Sequence, residues 1–139
     1  MSTAVVMMDT FLVLFPLFLL LVGWMLKRHH SNYPNTFCGY HAGKIASKSE
    51  KAWNEANLHC GMLLIRTGSV ALLLNFGFGC LLTLTVGDQF EKSDAWALAA
   101  VLMLMLSICV PTFLSILLTE RYLKKEFDSS GFPKGNAMR

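Results

Sequence analysis

The sequence predicts an all-α membrane protein, with three transmembrane helices plus a cytoplasmic interfacial amphipathic helix. Three observations predict it. Of 139 residues, 54% are hydrophobic and 15% charged, against roughly 25% charged in an ordinary globular chain. The deficit is concentrated in three long runs with almost no charge, and Lys and Arg gather at the flanks of those runs. A chain of this length is expected to form a single membrane domain over residues 1–139, with no room for a separate soluble catalytic module. The composition excludes a disordered, collagenous or disulfide-rich secreted protein. A net charge of +3 offers no broad basic surface, so no nucleic-acid partner is expected.

The first span is expected over about residues 5–26. Residues 11–26 carry no charge, and the apolar run extends back to Ala4 with only Asp9 and Thr10 interrupting it. At about 1.5 Å per residue, such a run crosses a hydrocarbon core of about 30 Å. Asp9 is read as the outer boundary of this helix. Residues 61–87 form the second run, with Arg66 as its one charge, and residues 95–119 the third, with Pro111 inside. Helices follow, because backbone polar groups in lipid must be satisfied within each segment and three strands cannot close a barrel. Pro16 and Pro111 should kink their helices or leave a carbonyl free.

Lys and Arg then set the orientation, since cytoplasmic flanks carry the excess. None precedes residue 27. The first loop, residues 27–60, holds Lys27, Arg28, Lys44, Lys48 and Lys51, and the tail, residues 120–139, holds Arg121, Lys124, Lys125, Lys134 and Arg139. Residues 88–94 have one Lys against three acids. The expected topology is a multi-pass protein of a bacterial cell (inner) membrane, N-terminus outside and C-terminus cytoplasmic. The order of charge and apolar run also argues against a cleaved signal peptide. Cys38 and Cys60 fall on the cytoplasmic side and Cys80 and Cys109 in spans, so no disulfide is expected.

The first loop carries most of the information. Its 34 residues far exceed what a helix connection needs, and loops this long usually hold structure or function. Pro34 and Gly39 make its first half irregular. The second half predicts a helix over about 47–60: Ser47-Lys48-Ser49-Glu50 fits a capping box, Lys51 and Glu55 are spaced for an i, i+4 pair, and Trp53, Ala56, Cys60 and Leu64 share one face. That face would lie on the bilayer interface or the bundle, with Trp53 at headgroup depth.

Pro34-Asn35, Gly39-Tyr40, Trp53, Ala56-Asn57 and Gly61, followed at once by a span, resemble the signature of the SdpI family, small bacterial membrane proteins named for a bacteriocin immunity protein. The resemblance covers about a fifth of the chain, and His41-Ala42 stands where the family carries Arg-Thr. It implies a family motif at Asn35, Gly39, Tyr40, Trp53, Ala56, Asn57 and Gly61. It further implies a non-enzymatic role in toxin immunity or membrane signalling, with a peptide toxin or a cytoplasmic repressor as partner.

Within the spans, Arg66 is expected to snorkel to the cytoplasmic headgroups. Gly68, Ala71, Asn75 and Gly79 form a small-residue stripe suited to close helix packing, within the chain or between copies of a homo-oligomer, with Asn75 hydrogen-bonding across. The alternative for the intramembrane polar residues Arg66 and Asn75, with Ser107, Thr112 and Ser115, is the path of a small oligomeric transporter or channel subunit. His29, His30, Cys38, His41, His59 and Cys60 lie on one side, but they lack the paired spacing of a zinc site, so no metal or other cofactor is expected. No phosphate loop, acid pair or Ser/His/Asp set points to catalysis. Membrane lipid is the remaining expected partner.

Overall fold

The computed structural model describes residues 3–35, 37–85 and 94–134. Three long helices dominate it: α1 (Thr3–Arg28), α2 (Glu50–Thr85) and α3 (Asp94–Glu126), with a single 3-10 turn (Ala46–Lys48) before α2. Each is long and apolar enough to cross a membrane, and the chain is an integral membrane protein of three spans. The expected end of the second span at residues 86 and 87, the acidic residues that follow it up to residue 93, and the tail beyond residue 134 lie outside the described residues. Large apolar side chains such as Phe18, Leu73 and Phe113 are more than half exposed along the helices, as lipid-facing surfaces require.

The expected separate amphipathic helix is not there. Its residues are the first turns of α2, which runs 36 residues without interruption, or about 54 Å at 1.5 Å per residue. That exceeds a hydrocarbon core of about 30 Å, so α2 extends beyond the bilayer at the end that carries the first loop. Gly61, the one residue at the junction suited to break a helix, instead serves packing. A Cβ there would lie 2.6 Å from the Gly23 carbonyl oxygen and 2.9 Å from the Lys27 nitrogen, and one on Gly23 would lie 2.9 Å from the Gly61 oxygen. The helix start also differs from the expected capping box. Ser49, not Ser47, caps α2 by accepting from the Ala52 N–H at 3.1 Å, while the Ser47 hydroxyl donates to the Lys44 carbonyl. Glu55 takes the Tyr122 hydroxyl at 3.0 Å, and no Lys51–Glu55 ion pair forms among the described residues.

Close approach of α1 and α2 continues along the stripe. Gly68 lies against Leu19 and Leu20, and Gly79 against Asp9; Gly68, Ala71, Asn75 and Gly79 are all buried. The stripe is thus used within the chain. Pro16 lacks the N–H that would bond the Leu12 carbonyl four residues back, and the Asn75 amide nitrogen donates to that carbonyl at 2.8 Å. A polar side chain on one helix thereby satisfies the acceptor that a proline freed on another.

Gly61→Ala should separate α1 from α2, because the obstructing atoms are backbone and cannot swing aside. Overpacking of about 1–3 kcal/mol outweighs the roughly 1 kcal/mol that Ala gains over Gly in a helix. Gly77, around which a Cβ meets nothing within 4 Å, supplies the control: thermal melts in detergent should fall for Gly61→Ala and hold or rise for Gly77→Ala.

The buried face of α3 repeats every fourth residue, with Ser107, Pro111, Ser115, Thr119 and Leu123, and buried Phe127 continues it just past the helix. The apolar core divides in two. One cluster gathers Leu19, Tyr40, Ala46, Trp53, Leu64, Leu123 and Phe127 at the loop end; the other joins Val5, Leu82 and Ala100 at the far end. Between them lie Asn75 and two cavities. The larger, about 480 Å³ between α2 and α3, is lined by Arg66, Asn75, Ser107 and Pro111 among apolar residues.

Candidate functional site: the loop-end cluster

Residues 29–35 and 37–49 are held to the projecting turns of α2 by a short chain of hydrogen bonds. Ser31 closes the early loop on itself: its N–H donates to the Cys38 carbonyl at 2.7 Å, and its hydroxyl accepts from the Cys38 N–H at 2.8 Å. The Ser31 carbonyl in turn receives the Trp53 indole N–H at 2.7 Å. Trp53 is fully buried, so of the two expected settings for its face, the bilayer interface or the bundle, the bundle is the one formed. The face shared by Trp53, Ala56, Cys60 and Leu64 packs into the bundle, because loop, α1 and α3 close over it.

Asn57, also fully buried, is the tie. Its amide nitrogen donates to the Trp53 carbonyl at 2.8 Å, which turns Oδ1 toward the loop, where it accepts the Tyr40 N–H at 2.8 Å. Gly39 is required by closeness: a Cβ would sit 2.6 Å from Asn57 Oδ1 and run into the Trp53 ring. Tyr40 then reaches α3, its hydroxyl donating to Glu120 Oε1 at 2.9 Å. Burial, reinforced by the Glu120 carboxylate, raises the phenol far above its ordinary range, so Tyr40 keeps its proton and acts as a donor. A side chain on Gly43 would overlap the Glu120 carboxylate.

The end of the chain completes the assembly. Phe127 is buried, Asp128 accepts the Ser130 and Phe132 N–H groups through Oδ1, and the Gly131 carbonyl receives the Ser49 hydroxyl at 2.6 Å. The first loop and the residues after α3 thus share one end of the molecule, with Lys27, Arg28, Lys44, Lys48, Lys51, Arg121, Lys124, Lys125 and Lys134 around it.

Gly39, Tyr40, Trp53, Ala56 and Asn57 therefore meet in one cluster. Asn35 is exposed and outside it. Gly61 packs one turn farther on, against Gly23. Arg66 is exposed on α2 at the rim of the larger cavity, and Asn75 lies deep in the bundle. Asp9, expected at the outer helix boundary, instead lies inside α1 and packs on α2, its Oδ2 accepting the Thr83 hydroxyl at 3.0 Å. The six His and Cys residues on the loop side are dispersed: His30 is within hydrogen-bond distance of Asn54, His41 is beside Trp53, and His59 is stacked on Tyr122 with ring centroids 4.3 Å apart and 3.2 Å from the Thr119 hydroxyl. No three potential metal ligands converge among the described residues.

Sequence reasoning missed Glu120, the group that receives Tyr40. The signal available was an acid standing among five basic residues at the end of the third apolar run. It also missed that Ser107, Pro111, Ser115 and Thr119, four residues apart, share the buried face of α3. No protein-family model, curated protein or solved structure matches this chain.

Proposed function

We propose that this three-span membrane protein is a non-enzymatic binding protein of SdpI type, acting in toxin immunity or membrane signalling through the loop-end cluster. What supports the reading is that the residues carrying the resemblance, far apart in sequence, share one hydrogen-bonded unit through Asn57. That unit gives the loop a fixed shape and leaves Phe37, 90% exposed, beside exposed Cys38, His41, Ala42 and Lys44. An exposed aromatic on a hydrogen-bonded loop is the kind of anchor that binding energy concentrates on. The excess of Lys and Arg at this end supports a cytoplasmic placement, with the N-terminus outside and the partner a cytoplasmic repressor, or a peptide toxin that reaches the membrane.

Expression in a bacterial host challenged with secreted peptide toxins tests the proposal. Survival should rise with the intact chain and fall back with Phe37→Ser, whose melting temperature should stay unchanged because the side chain is almost wholly exposed. Protection unaffected by Phe37→Ser, or no protection against any toxin tried together with no repressor recruited to the membrane, would refute it. A second reading, a small oligomeric transporter or channel subunit, draws support from the α2–α3 cavity lined by Arg66, Asn75 and Ser107. Liposome flux that depends on Asn75 would favour it.

A further inference from the structure

A second cavity, about 310 Å³, lies between α1 and α2 and is lined by Asp9, Asn75, Gly79, Cys80 and Thr83 with apolar neighbours. Two of its side chains carry a buried oxygen with no hydrogen-bond partner: Asp9 Oδ1 and Asn75 Oδ1. Buried polar atoms in native proteins are nearly always satisfied. Each orphan is fixed in its role by a second bond. Only an N–H can meet the Leu12 carbonyl, so the Asn75 nitrogen is turned there and Oδ1 remains as an acceptor. Asp9 uses Oδ2 for the Thr83 hydroxyl, which leaves Oδ1 as a second acceptor. Asn75 is completely buried, and Asp9 Oδ1 would lie 3.0 Å from a Cβ on Gly79, one turn along the same face.

We propose that this cavity is a binding site for a small monovalent cation, sodium, held by Asp9 Oδ1 and by Asn75 Oδ1 directly or through one water. Oxygen donors without nitrogen or sulfur ligands suit a hard cation. The charge count selects a monovalent one. A single carboxylate inside a membrane span is costly alone; one positive charge neutralises it, whereas a divalent ion would leave a net charge buried. Gly79 keeps the approach to Asp9 open, and the cavity has room for water to complete the coordination. The site is independent of the loop-end reading, since it lies toward the opposite end of α2.

Thermal melts in detergent should be compared in sodium chloride and in choline chloride at equal ionic strength and fixed pH, alongside counting of bound radioactive sodium. Sodium should raise the melting temperature by several degrees and bind with one ion per chain. Asp9→Asn, which keeps the side-chain shape, should abolish the shift and weaken sodium binding at least tenfold. Gly79→Ala, pressing on Asp9 Oδ1 without removing a ligand, should weaken it to a lesser extent. The proposal is overturned if sodium neither binds nor shifts the melt, or if Asp9→Asn binds as well as the native chain.

Discussion

Trp53→Ala should lower the stability of the folded protein by about 3–5 kcal/mol, the range for removing a large aromatic from a core. The side chain is fully buried and meets the first loop at three places: its indole N–H holds Ser31, its ring blocks any side chain at Gly39, and His41 lies against it at 5.5 Å between ring centroids. Loss should be felt first in the loop. Protease cleavage between residues 29 and 49 should accelerate at temperatures where far-UV circular dichroism still reports intact helices. Trp53→Phe keeps most of the volume and loses the bond to Ser31, so a cost of about 1–2 kcal/mol is expected. Equal costs for Phe and Ala would mean that the hydrogen bond, and not the packing, dominates.

Asn57→Ala should cost about 2–3 kcal/mol, most of it from one orphaned group. The Trp53 carbonyl retains its helical partner, but the buried Tyr40 N–H loses its acceptor, and an unsatisfied buried donor costs about 1–3 kcal/mol. The cavity left by the amide adds the remainder. Hydrogen exchange at the Tyr40 amide reads this directly: slow in the native chain, fast in the variant. A native-like exchange rate in Asn57→Ala would mean that another group or water takes over the bond.

Trp53 and Ala56 could be placed from the sequence because helical spacing put them on one face with Cys60 and Leu64, whereas Asn57, whose loop partner Tyr40 lies 17 residues away, stood out only through the resemblance. The reach of α2 could not be read this way. Whether a glycine ends a helix depends on what approaches it, and Gly61 is held in α2 by the backbone of α1 around Gly23, a contact that spans 38 positions. Asp9 was misread for a related reason. A charge near the end of an apolar run resembles a boundary until the partner helix offers Thr83 and a glycine to receive it. Tyr40 and Glu120 are 80 residues apart, and no local pattern links them. Pro16 and Asn75 each left a trace, a freed carbonyl and an intramembrane amide, but only the antiparallel packing of α1 on α2 shows that one answers the other.

Sidedness labelling tests the three-span arrangement most directly. In a background with Cys38, Cys60, Cys80 and Cys109 replaced, single substitutions Lys44→Cys, Gln89→Cys and Lys134→Cys can be exposed in intact cells to a thiol reagent that does not cross membranes. Lys44→Cys and Lys134→Cys should be protected until the membrane is opened, and Gln89→Cys labelled at once. Labelling that places residues 44 and 134 on opposite faces, or residue 89 on the same face as both, would contradict it.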